Sequence, residues 1–143
     1  MKKVVVDASV CLKWVFEEAD SEKARDLLTL SEKGDILLFA PEIWEYEIVN
    51  GFASAMLKNK LSYAKSKKLL RLVLRAKPQI ISTHELLLKS LENCHKYRIS
   101  AYDSAYITLA VENGIILISA DEKLAQRVSD LNVITTLTRF FRS

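Results

Sequence analysis

Residues 3–9 read K-V-V-V-D-A-S. Three consecutive β-branched valines suit a strand covered on both faces, as in the interior of a parallel sheet. Asp7 ends that run and so stands at the strand's carboxyl end. In open parallel α/β sheets, that edge is where ligands bind. Later residues that reach the same edge are candidates for a common site.

Working outward, Ala8 to Phe16 is apolar apart from Lys13 and reads as a short helix. Asp20-Ser21 opens a second helix, which Gly34 is placed to end in the left-handed conformation that glycine accepts. Ile36 to Ala40 is a second strand, and Pro41 suits the start of the helix that follows, to about Lys60. That helix has an apolar face of Trp44, Ile48, Phe52 and Met56. Glu47, Asn50, Gly51 and Ser54 form a small polar stripe on it at i, i+3, i+4 and i+7. Ser62 to Lys77 predicts a further helix, and Gln79 to Ser82 a short third strand. Ser82 with Glu85, and Ser100 with Asp103, have the spacing of capping boxes. Gly114 closes the second of these helices, Ile115 to Ser119 is a buried strand, Asp121 caps the next helix, and Val133 to Thr136 is the last strand. Strands alternating with helices imply a parallel, doubly wound sheet with right-handed crossovers.

The 143 residues suit one domain with one core, and half of them are hydrophobic. No apolar run approaches the ~18 residues of a membrane span. Met1-Lys2-Lys3 followed by valines faintly resembles a signal peptide, but Asp7 cuts the run short, so the expected location is the cytoplasm. Cys11 and Cys94 lie far apart, outside any C-x-x-C pair, and read as free thiols. His84 and His95 are the only histidines, which leaves few bases for a nucleophilic triad. The three glycines are isolated, so there is neither a P-loop nor a dinucleotide fingerprint.

Four acids stand out. Asp7 and Asp121 each follow a strand and precede a helix. Glu47 lies early in the helix after the second strand. Asp103 lies in the first turn of the helix leading into the fourth. Singly, Asp7 and Asp121 would serve as N-caps and Asp103 as the acid of its box. Jointly, four carboxylates at one edge repel one another, and a divalent cation would offset that repulsion. Oxygen-only ligation points to Mg²⁺ or Mn²⁺ rather than zinc. Metal-assisted phosphodiester hydrolysis is the chemistry such a cage would perform.

Charge is unevenly spread. Between Lys58 and Lys77 there are eight basic residues and no acid, while the rest of the chain carries 13 basic against 18 acidic residues. Lys65, Lys68, Arg71 and Arg75 recur at about one turn on the Ser62–Lys77 helix, and the alternative to a polyanion site there is a solvated face. An antiparallel return of that helix would bring Arg71 and Arg75, with Lys68, toward the acids, where they would hold the phosphates of a polyanionic substrate.

The segments V-V-D-A-S, Y-E-I-V-N at Tyr46–Asn50, S-A-Y-D-S-A-Y at Ser100–Tyr106 and S-A-D-E-K-L at Ser119–Leu124 resemble PIN domains. More narrowly, they resemble the VapC-type toxins of toxin–antitoxin systems. The resemblance covers nearly the whole chain, 1–143 as one domain, with a helical hairpin at about 41–77. It implies a three-layer α/β/α sandwich with about five parallel strands in the order 3-2-1-4-5. It also implies a ribonuclease dependent on Mg²⁺ or Mn²⁺, a homodimer, and a small VapB-type antitoxin as partner. By position, Asp7, Glu47, Asp103 and Asp121 match the family's acidic quartet, and Ser9, Asn50 and Ser119 its supporting polar residues. The E-x-x-N spacing selects Glu47 over Glu45 and Glu42. Competing readings are a haloacid dehalogenase-like phosphatase, which would want a second acid where Ser9 stands, a receiver-like module, and an inactive PIN-like module that binds RNA or a partner.

Overall fold

A computed structural model of the protein describes residues 1–142. Five parallel strands form one sheet in the order β3-β2-β1-β4-β5: β1 (Lys2–Val6), β2 (Ile36–Pro41), β3 (Gln79–Ile81), β4 (Ile116–Ile118) and β5 (Ile134–Thr135). The valine run lies at the centre. Val4, Val5 and Val6 have no exposed surface, because β2 and β4 flank them and helices cover both faces. Val4 to Val6 pair in register with Ile116 to Ile118.

Eight helices connect or follow the strands among the described residues: α1 (Ala8–Leu12), α2 (Ser21–Glu32), α3 (Ile43–Leu57), α4 (Tyr63–Arg75), α5 (Leu87–Tyr97), α6 (Ala101–Asn113), α7 (Glu122–Arg127) and α8 (Leu137–Arg142). Strand order steps one way from β1 to β3 and the other way from β3 to β5. Right-handed crossovers therefore put α1–α4 on one face and α5–α7 on the other. The reversal falls between β1 and β4, the place where such sheets leave a crevice at the strands' carboxyl ends. α6 enters β4 and so runs antiparallel to the strands, which brings its N-terminus, with Asp103, to that edge.

Several local expectations are corrected. Pro41 is the last residue of β2, and α3 begins at Ile43. The first helix stops at Leu12. Asp20 takes a left-handed φ of 65° and does not cap α2 with its side chain. Ser21 does the local tying instead, its Oγ accepting from Glu18 N–H and donating to Phe16 O. Ser82 does not close a box with Glu85; its Oγ accepts from His84 N–H, and a short 3₁₀ turn, His84–Leu86, precedes α5. The closing helix α8 had no counterpart in the sequence reading. Both cysteines are free, Cys11 buried and Cys94 half-buried. No helix among the described residues is long and apolar enough to cross a membrane.

Candidate active site

A cleft of about 830 Å³ opens at the carboxyl edge beside β1 and β4, and Asp7, Glu47, Asp103 and Asp121 all line it. Each arrives for a local reason. Asp7 is the N-cap of α1, its Oδ1 accepting from Ser9 N–H at 3.2 Å. Asp121 is the N-cap of α7, its Oδ1 accepting from Leu124 N–H at 3.0 Å. Asp103 sits in the first turn of α6, where Ser100 Oγ caps its N–H at 3.1 Å. Capping and cleft lining are thus compatible in these acids, because helices that start at one edge aim their N-termini into it.

Of the three glutamates on or beside α3, only Glu47 lines the cleft. Glu45 turns away and pairs with Lys77 at 3.4 Å. Glu42 accepts two hydrogen bonds from Thr83 N–H, which ties the start of α3 to the turn after β3.

Supporting hydroxyls knit the segments together. Ser119, fully buried, donates from Oγ to Asp7 Oδ2 at 2.9 Å and accepts from Asp121 N–H at 3.1 Å. One side chain thereby links the ends of β1 and β4. Ser9 and Asn50 line the cleft; Ser9 Oγ is buried and makes no hydrogen bond of normal geometry. Tyr106, named from the sequence only as the last residue of the Ser100–Tyr106 segment, has a role of its own. Its buried hydroxyl donates to Glu47 Oε1 at 2.6 Å and lies 3.4 Å from Ala8 N–H. The signal was available in its position three residues after Asp103, on the same helix face.

The electrostatics follow from crowding. Burial, and to a lesser degree Asp103, push the Asp7 carboxyl above its ordinary range, although Ser119 and Ser9 hydrogen bonds oppose this. Burial also raises Glu47, against the Tyr106 hydrogen bond and with the charges of Asp7 and Asp103. Asp103 is raised by burial and by Asp121. No basic side chain is among the groups that shift these three. The cations lining the cleft are Lys13, Lys58 and Lys60. Lys68, Arg71 and Arg75 are exposed on α4 and are not among its lining residues.

A sheet in this order, with acids gathered at its switch point, defines a class of α/β protein whose site sits at one strand edge. The PIN domain model matches residues 4–130, and the chain belongs to that family. Among solved structures, PAE2754 from Pyrobaculum aerophilum is 16% identical with a TM-score of 0.72, over 97% of this chain and 86% of that one. A toxin–antitoxin complex from Klebsiella pneumoniae is 15% identical with a TM-score of 0.62, over 94% of this chain and 97% of that one. At these identities the likeness is one of fold. No curated protein sequence matches the chain.

The donor set of the cleft is all hard oxygen, with no His or Cys among its lining residues. Among the described residues, no three His, Cys, Asp or Glu side chains are gathered tightly enough to hold an ion directly. An all-oxygen donor set of this kind fits a hard divalent cation that keeps part of its water.

Proposed function

We propose that this protein is an endoribonuclease dependent on Mg²⁺ or Mn²⁺, a toxin of the VapC type, that hydrolyses RNA phosphodiester bonds in the cleft. The reading is carried by one observation. Acids from four separate segments line a single cleft, and three of them are pushed toward their neutral forms with no basic side chain to relieve them. A divalent cation relieves that repulsion, and the phosphate of a substrate then finds positive rather than negative charge.

Asp7 would be the principal ligand, since Ser119 and Ser9 fix both of its oxygens. Glu47 or Asp103 would be the second. Asp121, exposed and engaged in capping α7, would act through water. The cation, when bound, supplies an activated water and neutralises charge developing on the phosphate. Glu47 Oε1 is held by Tyr106, so where Asp103 is the second ligand, Oε2 is left to take a proton from the attacking water. Water then adds to phosphorus, the bond to the leaving ribose oxygen breaks, and that oxygen takes up a proton from solvent.

The same reading carries a small VapB-type antitoxin and a second copy of the chain as partners, and the cytoplasm as location. The likeness of fold to the Klebsiella toxin–antitoxin complex supports the first. Leu87, Leu88 and Leu91 on α5 are 60%, 84% and 66% exposed, an apolar face that suits a protein partner.

The test is direct. Purified protein is incubated with labelled RNA in Mg²⁺, in Mn²⁺ and in EDTA, beside Asp7→Asn. Cleavage is expected with either metal and is expected to disappear in EDTA and in the variant, whose circular dichroism stays native. Cleavage that survives EDTA, or that Asp7→Asn retains in full, sinks the proposal.

A further inference from the structure

The cleft does not end at the acids. Glu47, Asn50, Gly51, Ser54, Ala55 and Lys58 all line it. Their spacing of i, i+3, i+4, i+7, i+8 and i+11 is one continuous stripe along α3. At 1.5 Å per residue, the stripe runs about 16 Å from Glu47 to Lys58. Between its charged ends it presents only small side chains, with Leu12 of α1 packed close over Gly51. The facing wall comes from α1 and the turn after it, including Leu12 and Phe16.

The far end is rigid and basic. Lys58 follows the last turn of α3, and Asn59 takes a left-handed φ of 55°. Asn59 N–H donates to Met56 O and Lys60 N–H to Ala55 O, the paired bonds of a Schellman motif. That motif fixes where Lys58 and Lys60 emerge, and both line the cleft. Among the described residues neither is held in an ion pair. Lys13, by contrast, is engaged with Ala19 O at 2.8 Å. Glu17 and Glu18 stand on the facing side and repel a phosphate chain toward α3.

We propose that a single RNA strand lies along this α3 track, its phosphates running from the acids to Lys58 and Lys60, while the Lys68–Arg71–Arg75 face of α4 lies off the path. The inference rests on the nuclease reading above and assigns the substrate-positioning residues of the same site. A cleft of about 830 Å³ has room for a few nucleotides of one strand. Cations at a helix C-terminus also favour the helix dipole. That structural role leaves the salt dependence of RNA binding untouched.

The experiment measures binding of a fluorescent single-stranded RNA 12-mer to Asp7→Asn protein in Mg²⁺, across 50–300 mM salt. Adding Lys58→Ala/Lys60→Ala is expected to reduce the slope of log affinity against log salt by about 1.4, two single-strand contacts at about 0.7 each. Arg71→Ala/Arg75→Ala is expected to leave the slope unchanged. Ser54→Glu, which places a negative charge mid-track without removing a cation, is expected to weaken binding at least tenfold. An unchanged slope in the lysine variant, a slope loss confined to the arginine variant, or no RNA binding at all overturns the track. Wild-type protein is assayed for cleavage of the same RNA in Mn²⁺. Cleavage with an unchanged slope removes the track alone, whereas absent cleavage removes the nuclease reading itself.

Discussion

At the scale of single residues, the site depends on hydrogen bonds that hold mutually repelling carboxylates in place. Glu47 is the clearest case, because burial and two neighbouring acids disfavour its charge while Tyr106 Oη donates to it. Tyr106→Phe keeps the ring and deletes that bond. It also leaves Ala8 N–H without its partner, so a loss of about 1–2 kcal/mol in stability is expected. The larger effect should fall on metal affinity and cleavage, by about 10- to 100-fold, as for other partners that orient a ligand. Mn²⁺ titration by calorimetry reads the affinity part independently of activity; an affinity equal to wild type would reduce Tyr106 to a packing residue. The choice among the glutamates gives a companion prediction. Glu47→Gln should abolish cleavage, whereas Glu45→Gln should lose only its exposed pair with Lys77, worth under about 1 kcal/mol. The opposite pattern of kinetics would shift the register of α3 by two residues. The E-x-x-N spacing made Glu47 legible in the sequence. Tyr106 was not, because a tyrosine among Ala105, Ile107 and Leu109 matches a core position until its hydroxyl partner is known.

Elements were legible where one local signal dominated. The valine run, the glycines that end helices at 34 and 114, and the serine cap at 100 all lie where patterning put them. Signals that competed were misread. Pro41 fits a helix start, but the last residue of β2, past the end of its pairing with β1, accommodates it equally. The polar stripe of α3 was visible as an anomaly. Its meaning depended on α1, which no helical periodicity reports. Gly51 shows how closely the two helices approach: a Cβ built there would lie 2.6 Å from Leu12 Cδ1. Gly51→Ala gains roughly 1 kcal/mol of helix propensity and must displace the Leu12 side chain, which itself lines the cleft. Expected in urea melts is a stability within about 1 kcal/mol of wild type. Cleavage should fall several-fold as Leu12 is pushed into the groove, and Leu12→Ala in the same chain should restore it. Failure of that second change to restore activity would place the effect in α3 rather than in the contact.

Over the whole molecule, the hairpin divides the basic residues between Lys58 and Lys77: Lys58 and Lys60 line the cleft, and Lys68, Arg71 and Arg75 do not. The crevice between β1 and β4 collects helix N-termini from both faces of the sheet, and that concentration of carboxylates gives the stability of the protein a definite pH dependence. Asp7, Glu47 and Asp103 have folded-state pKa values above their unfolded ones. The folded state therefore retains protons that the unfolded chain has released. Stability from these groups is greatest at acid pH and is lost as pH rises from about 4 through the raised folded values. Glu42 works in the opposite sense. Burial would raise its carboxyl, but the hydrogen bonds from Thr83 outweigh this and hold it low, so its contribution is lost only as pH falls below about 4. Above pH 5 the metal-free protein should thus become less stable as the cleft acids ionise, and Asp7→Asn should flatten that decline. Under the proposed function, Mn²⁺ would compete with the retained protons and bind only the folded state. Its effect on Tm should therefore grow with pH, reaching roughly 5–10 °C at a hundredfold excess over Kd. Thermal melts of wild type and Asp7→Asn between pH 5 and 8, with and without Mn²⁺, measure both slopes. A Tm shift independent of pH, or one that Asp7→Asn keeps in full, would mean that the cation binds elsewhere than at these carboxylates.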